Sequence, residues 1–436
     1  MSHPNHSFSR RSFIRTGSLA APFIVTAARS ASAQQKADSS ETIKVGLIGC
    51  GGRGSGAANQ ALAAYDKNSK LVAVADVLDT QMEKALANLT AIHGERVAVP
   101  MENRFSGLDG YKKLLALDVD VVILATPPGF RPYHLTAAVE SNKHIFAEKP
   151  MAVDVAGYKV AMEAVARAKE KKLNLVAGFC WRYDMARQEA FQRLMDGEIG
   201  EVVGATHSYH TGPVKPMPKA DTRPAGMADV EWQVRNWYNF SWLSGDGLVE
   251  QAVHSVDKLC WAMKDIPPVA AVAVGGRQIP AEGGNIFDHF GVAYEFDGHV
   301  FSHMASRQIP GCHGETNDVI AGTKGRLLIG KMGGGEPLIE GAKRWRWKGK
   351  KKDMYQAEHD VLFEAVRNGG VVNDGDRMMN STLVAILGRN AAYTGKRITW
   401  QELLESNEDL APEETLAWGD SFDAGPLPLP GTKSSV

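Results

Sequence analysis

Glu250, His254 and Asp257 stand at i, i+4 and i+7, so on a helix they share one face. A histidine flanked by two acids is placed and tuned for general acid/base work. A further candidate is Lys149, in Glu148-Lys149-Pro150. Pro150 biases Lys149 away from helix. A lysine held at a strand end, pointing into a crevice, can transfer a proton to a carbinol oxygen or hydrogen-bond to it.

These side chains need a scaffold, and the stretch from Ile43 to Asp76 predicts one. An apolar run, Ile43 to Ile48, leads into Gly49-Cys50-Gly51-Gly52-Arg53-Gly54. A small-residue helical run then leads to a second apolar run, Leu71 to Ala75, ending at Asp76. The glycines have the spacing of a dinucleotide-binding turn. Gly49 permits the tight turn, Gly51 lets backbone approach a pyrophosphate, and Gly54 lets helix and strand pack closely. A helix starting near Ser55 would aim its free N–H groups at the phosphates. Asp76, about 20 residues on, can hold both ribose hydroxyls. Its charge would repel a 2′-phosphate and so favours NAD, while Arg53 could pair with that phosphate and admit NADP.

Strand-like and helical segments then alternate. The strand segments are Val97–Val99, Val119–Leu124, His144–Ala147 and Leu173–Ala177. This alternation predicts an α/β fold, a doubly wound parallel Rossmann sheet. Thr126-Pro127-Pro128 falls at a strand's carboxyl end, where open α/β sheets bind ligands. The second half predicts a helix over Leu248–Met263 and then strand segments from Val269 to Ile329, an α+β domain with an open, mostly antiparallel sheet. Gly212–Gly226 reads as a long loop, placed to cover the site. The expected division is a Rossmann domain over 42–178, an α+β domain over 179–405, and a tail over 406–436 that frays or wraps a neighbour.

With 49 basic and 50 acidic residues, the chain offers no basic surface for nucleic acid. Its four cysteines, Cys50, Cys180, Cys260 and Cys312, form no C-x-x-C pair, so neither a metal site nor a disulfide framework is expected. Residues 1–33 read as a signal peptide. Ser9-Arg10-Arg11-Ser12-Phe13 resembles the twin-arginine export motif, and a mildly apolar stretch runs on to Ala31-Ser32-Ala33. No integral membrane segment is expected in the mature chain. A periplasmic or secreted location follows, by a route that carries folded proteins. Free NAD is scarce outside the cytoplasm, so the cofactor would stay tightly bound and regain its redox state in the same site.

With the Glu148-Lys149-Pro150 triplet and the Glu250/His254 helix in hand, the chain resembles the glucose–fructose oxidoreductase and inositol dehydrogenase (Gfo/Idh/MocA) family. The glycine turn, Thr126-Pro127 with His134, Arg182-Tyr183 and Gly245 to Asp257 carry the same resemblance. It implies NAD(P)-dependent oxidation of sugars, inositols or related polyols, with a likeness to periplasmic members that retain their nucleotide. Carried over, Lys149 contacts the reacting hydroxyl, His254 is the acid/base and Glu250 orients it. Gly49, Gly51, Gly52, Arg53, Gly54, Asp76, Thr126, Pro127, His134, Glu148 and Lys149 would hold the cofactor. Arg182, Tyr183, Trp237 and Asp257 would face substrate. The resemblance also implies a homo-oligomer, a dimer or tetramer joined through the open sheet. An NAD-dependent glycosidase working through transient oxidation and elimination is the alternative chemistry.

Overall fold

The computed structural model describes residues 41–279, 283–330, 335–410 and 416–432. The leader read over residues 1–33 lies outside them. Six strands form one parallel sheet: β1 (Ile43–Ile48), β2 (Ser69–Asp76), β3 (Arg104–Ser106), β4 (Val121–Leu124), β5 (His144–Ala147) and β6 (Leu175–Ala177). Helices α1 (Gly52–Ala63), α2 (Asp79–His93), α3 (Gly110–Leu115), α4 (Arg131–Glu140) and α5 (Val155–Glu170) make the crossovers. The central strands are buried on both faces, which is why they read as unbroken apolar runs. Their spatial order is β3-β2-β1-β4-β5-β6. The order reverses between β1 and β4, opening a crevice at their carboxyl ends.

The third strand differs from expectation. Val97 makes a single bridge to Leu71, and the paired strand is Arg104–Ser106. Pro100 offers no N–H to extend a ladder from Val97–Val99, so the chain turns before it joins the sheet.

The second half carries α6 (Met185–Met195), β7 (Val202–Thr211), α7 (Asp229–Arg235), α8 (Ser241–Ser244) and α9 (Val253–Ala262). It continues with β8 (Ala270–Gly276), β9 (His289–Phe296), β10 (Val300–Gln308), β11 (Glu315–Gly322), β12 (Gly325–Gly330), β13 (Leu338–Gly341) and β14 (Trp345–Arg346). Then come α10 (Met354–Asn368), α11 (Gly375–Thr394), β15 (Ile398–Thr399) and α12 (Trp400–Glu405). These strands form a nine-stranded sheet in which β7 and β10 are a parallel pair and the other pairings are antiparallel. Val256 and Leu259 of α9 and Leu383 and Leu387 of α11 share one core with Val292, Tyr294 and Met304 of the sheet. Val272, Val274 and Phe301 remain exposed. No helix among the described residues is long and apolar enough to cross a membrane.

Two expectations about organisation are corrected. Helix α10 returns to the first sheet, where Leu362, Phe363 and Val366 pack with Val45, Leu47, Phe146 and Val176. The Rossmann layer is therefore completed by residues beyond 178, because its outer face needs a further apolar helix. Of the tail, residues 416–432 pack on their own chain. Phe422 meets Trp242 edge-on at 5.3 Å, and Val230 N donates to the Asp420 carbonyl at 3.2 Å.

Candidate active site

The glycine turn is built as its spacing predicts. Gly49 has φ +92°, and a Cβ there would lie 2.6 Å from the Ala125 carbonyl carbon. A Cβ on Gly54 would lie 1.8 Å from the Gly49 carbonyl oxygen. Gly51 and Gly52 have nothing within 4 Å of such an atom, which leaves a cradle open to a ligand. Helix α1 begins at Gly52, a turn earlier than expected, with Gly51 extended and without a side-chain cap. Its first N–H groups are thus free for an anion. Asp76 closes the turn by accepting from Cys50 N at 2.7 Å and Leu78 N at 2.9 Å. Burial raises its pKa from the ordinary carboxylate value.

Arg53 does not reach toward Asp76. It makes an ion pair, without an aligned hydrogen bond, from Nε to Glu148 Oε1 at 2.8 Å. Its Nη2 donates to Gln60 at 2.6 Å, and the guanidinium sits 4.9 Å from the Tyr355 ring centroid.

On the β4 side, Thr126 Oγ1 lies 3.0 Å from His134 Nδ1, and His134 packs on Tyr111 with ring centroids 4.1 Å apart. Burial pushes His134 down to about 3, so it is neutral near pH 7. Arg131, at the start of α4, donates to the Thr126 carbonyl at 2.7 Å while its Nε and Nη1 have no partner among the described residues. Burial lowers it to about 10.

Lys149 follows β5, and its bond to Pro150 is cis. Its Nζ donates to Glu250 Oε1 at 2.7 Å and to the Glu250 carbonyl. The expected helix is not uniform: Leu248–Ala252 form a wide π turn before α9 begins. Such turns often mark functional positions. Here Glu250 is paired with Lys149 and not with His254. The His254 ring sits between Trp181, 5.3 Å away, and Phe179, 6.4 Å away and edge-on. Burial, followed by the charge of Lys149, pushes His254 well below the ordinary imidazole range.

A cleft of about 520 Å³ joins these groups. Gly49, Gly51, Gly52, Arg53, Gly54, Asp76, Thr126, Pro127, His134, Glu148, Lys149, Glu250, His254 and Trp237 all line it. Val214 and Lys215 bring the long loop to its wall. Arg182, Tyr183 and Asp257 are not on that wall. Arg182 pairs with Asp257 at 2.9 Å and Asp265 at 2.6 Å, Ser381 donates to Asp257 at 2.8 Å, and Tyr183 donates to Asp374 at 2.6 Å. These are buried polar groups satisfied within the protein, since an unpaired charge there would be costly. Sequence reasoning missed Arg131, Trp181, Gln251 and Tyr355 as lining residues. Trp181 and Arg131 lie within a few positions of recognised motifs, whereas Tyr355 is brought in by the return of α10.

The cradle at Gly51 and Gly52, the uncapped start of α1 and the unpartnered Arg131 donors fit a dinucleotide laid across the β1/β4 crevice. Residues 43–179 match the model of the "Oxidoreductase family, NAD-binding Rossmann fold". That segment carries the glycine turn, Thr126-Pro127, His134 and the Glu148-Lys149-Pro150 triplet. The chain is 27% identical over 300 residues to scyllo-inositol 2-dehydrogenase (NAD(+)) of Bacillus subtilis, covering 66% of this chain and 79% of that one. It is 26% identical over 219 residues to a glycosyl hydrolase family 109 protein of Shewanella baltica, covering 45% and 46%. Several of the curated relatives it matches are spanned over about half their length. A levoglucosan dehydrogenase solved with NADH and levoglucosan shares the fold, with TM-score 0.66 and 18% identity over 82% of this chain and 99% of that one.

Proposed function

We propose that this chain is a nicotinamide-dependent oxidoreductase that moves hydride between a sugar, inositol or related polyol carbon and a tightly bound NAD. The observation that carries the reading is a single cleft holding Lys149 and the neutral His254 together with the glycine cradle. Gly51, Gly52, the start of α1 and Asp76 would hold the dinucleotide, and when bound its nicotinamide supplies the hydride acceptor. His254, being neutral, takes the proton from the substrate hydroxyl. Lys149 hydrogen-bonds to the developing alkoxide and stabilises its charge. Glu250 fixes the Lys149 ammonium at 2.7 Å. The engagement of Arg53 with Glu148 supports NAD over NADP, since its guanidinium is drawn away from Asp76. Aromatic rings of Trp237, Trp181 and Tyr209 on the cleft wall suit the apolar faces of a sugar. Export by the twin-arginine route and homo-oligomerisation through the open sheet face belong to the same proposal.

The test supplies the purified protein with NAD and a panel of inositols and aldoses and follows the near-ultraviolet absorbance of reduced nicotinamide. Reduction by at least one polyol is expected, and none across the panel would defeat the reading. The likeness to a glycosyl hydrolase family 109 protein favours one second reading, glycoside cleavage through transient oxidation. Release of phenol from aryl glycosides with no acceptor present would select it.

A further inference from the structure

Among the described residues, neither ring nitrogen of His254 has a hydrogen-bond partner, so the acid expected to orient it does not do so. The ring is held instead by Trp181, at 5.3 Å and tilted by 38°, and by the edge of Phe179. Trp181 is anchored from behind. Lys258 lies one helical turn beyond His254, and its Nζ sits 3.8 Å from the Trp181 ring centroid. Lys258 is 1% exposed and pairs with Asp318, whose other oxygen lies 2.8 Å from His207 Nδ1. None of Lys258, Asp318 and His207 lines the cleft. A buried charged cluster is often no more stabilising than apolar residues of the same size. Its place directly under the wall that holds His254 therefore points to a role in the site.

We propose that Lys258 is a positioning residue: its ammonium, fixed by Asp318 and His207, clamps the Trp181 ring, and that ring sets the orientation of the His254 imidazole. The proposal rests on the reading of His254 as acid/base. Cation–π contacts of a desolvated ammonium are among the stronger ones. The charged groups around His254 are Lys149 at the end of β5, Arg187 on α6 and Lys258 on its own helix. Glu250 is paired with Lys149, and Tyr209 on β7 stays a neutral phenol, pushed up to about 12 by burial. Burial is the main reason His254 is neutral, and removing Lys258 removes one of the three cations that add to it.

The experiment labels histidine rings in the full chain as purified and assigns the His254 ring protons by their loss in His254→Gln. Beside the Trp181 ring, the wild-type ring protons should carry a ring-current shift, with the imidazole neutral below its ordinary range. Lys258→Met should collapse that shift toward the value of a free histidine, and Lys258→Arg should restore it. Asp318→Asn, which releases the ammonium, should also reduce it, and serves if Lys258→Met fails to fold. A full wild-type shift persisting in a folded Lys258→Met, or in Asp318→Asn, overturns the proposal. In activity, Lys258→Met should lower kcat about tenfold with KM little changed, and Lys258→Arg should recover it. The ring signals need no substrate, so absence of turnover in wild type would count against the proposed function and not against this inference.

Discussion

Lys149 Nζ lies 2.7 Å from Glu250 Oε1, tying the end of the fifth Rossmann strand to the π turn that precedes the His254 helix. Both side chains are less than a tenth exposed. Removing only the lysine leaves a buried carboxylate whose other oxygen already has no partner among the described residues. Lys149→Met should therefore cost about 3–5 kcal/mol in denaturant unfolding. Lys149→Met with Glu250→Gln should recover more than half of that loss. Equal losses in the single and double variants would show that the orphaned carboxylate is not the source of the cost.

The glycines of the turn should separate by function. Gly54→Ala places a methyl 1.8 Å from the Gly49 carbonyl oxygen and should destabilise the fold by about 3 kcal/mol or more. Gly51→Ala meets nothing within 4 Å and has an ordinary φ of −65°. Its stability should stay within about 0.5 kcal/mol of wild type, while its NAD affinity falls at least tenfold by fluorescence titration. A Gly51→Ala protein that binds NAD normally would place the dinucleotide elsewhere.

Asp76 should set cofactor choice. Its two oxygens already organise the turn through Cys50 N and Leu78 N. Asp76→Ala should weaken NAD about tenfold and leave NADP binding equal or better, so the ratio of the two affinities shifts toward NADP. An unchanged ratio would remove Asp76 from the ribose site.

Acid stability carries a signature of buried neutral histidines. His359 stacks on Phe146 at 4.1 Å with both ring nitrogens unpartnered among the described residues, and burial lowers its pKa to about 3. Above the unfolded value of 6.5 neither state binds the proton and the group has no effect. Between there and about 3 the unfolded chain binds more protons, so stability is lost as pH falls. His359→Phe should remove that dependence. The variant should gain on wild type by up to about 1.4 kcal/mol per pH unit below the upper value, read by denaturant midpoints across the window. Parallel pH curves for the two proteins would contradict the assignment.

The Rossmann half was legible because its strands are buried on both faces and its turn needs glycine at fixed positions. Gly49, Gly51, Gly54 and Asp76 could thus be placed from spacing alone. Helical periodicity did less well at Glu250, His254 and Asp257. One π turn changes the phase between Glu250 and His254, and Asp257 is drawn into the buried Arg182 pair. Arg182 and Tyr183 were expected to face substrate from the resemblance, which aligns positions along the chain but not the partners their side chains find. Their partners, Asp265 and Asp374, come from elements far along the chain. Tyr355 and α10 could not be foreseen for the same reason: a long-range return leaves no local pattern.

The most direct test follows the hydrogen itself. Wild-type protein loaded with NAD is given a polyol it oxidises, deuterated at carbon, and the nucleotide released on denaturation is weighed. One deuterium should appear on the nucleotide from wild type. None should appear from Lys149→Ala or His254→Gln, although both still release NAD. A wild-type nucleotide without deuterium, or equal transfer in the two variants, would contradict the account.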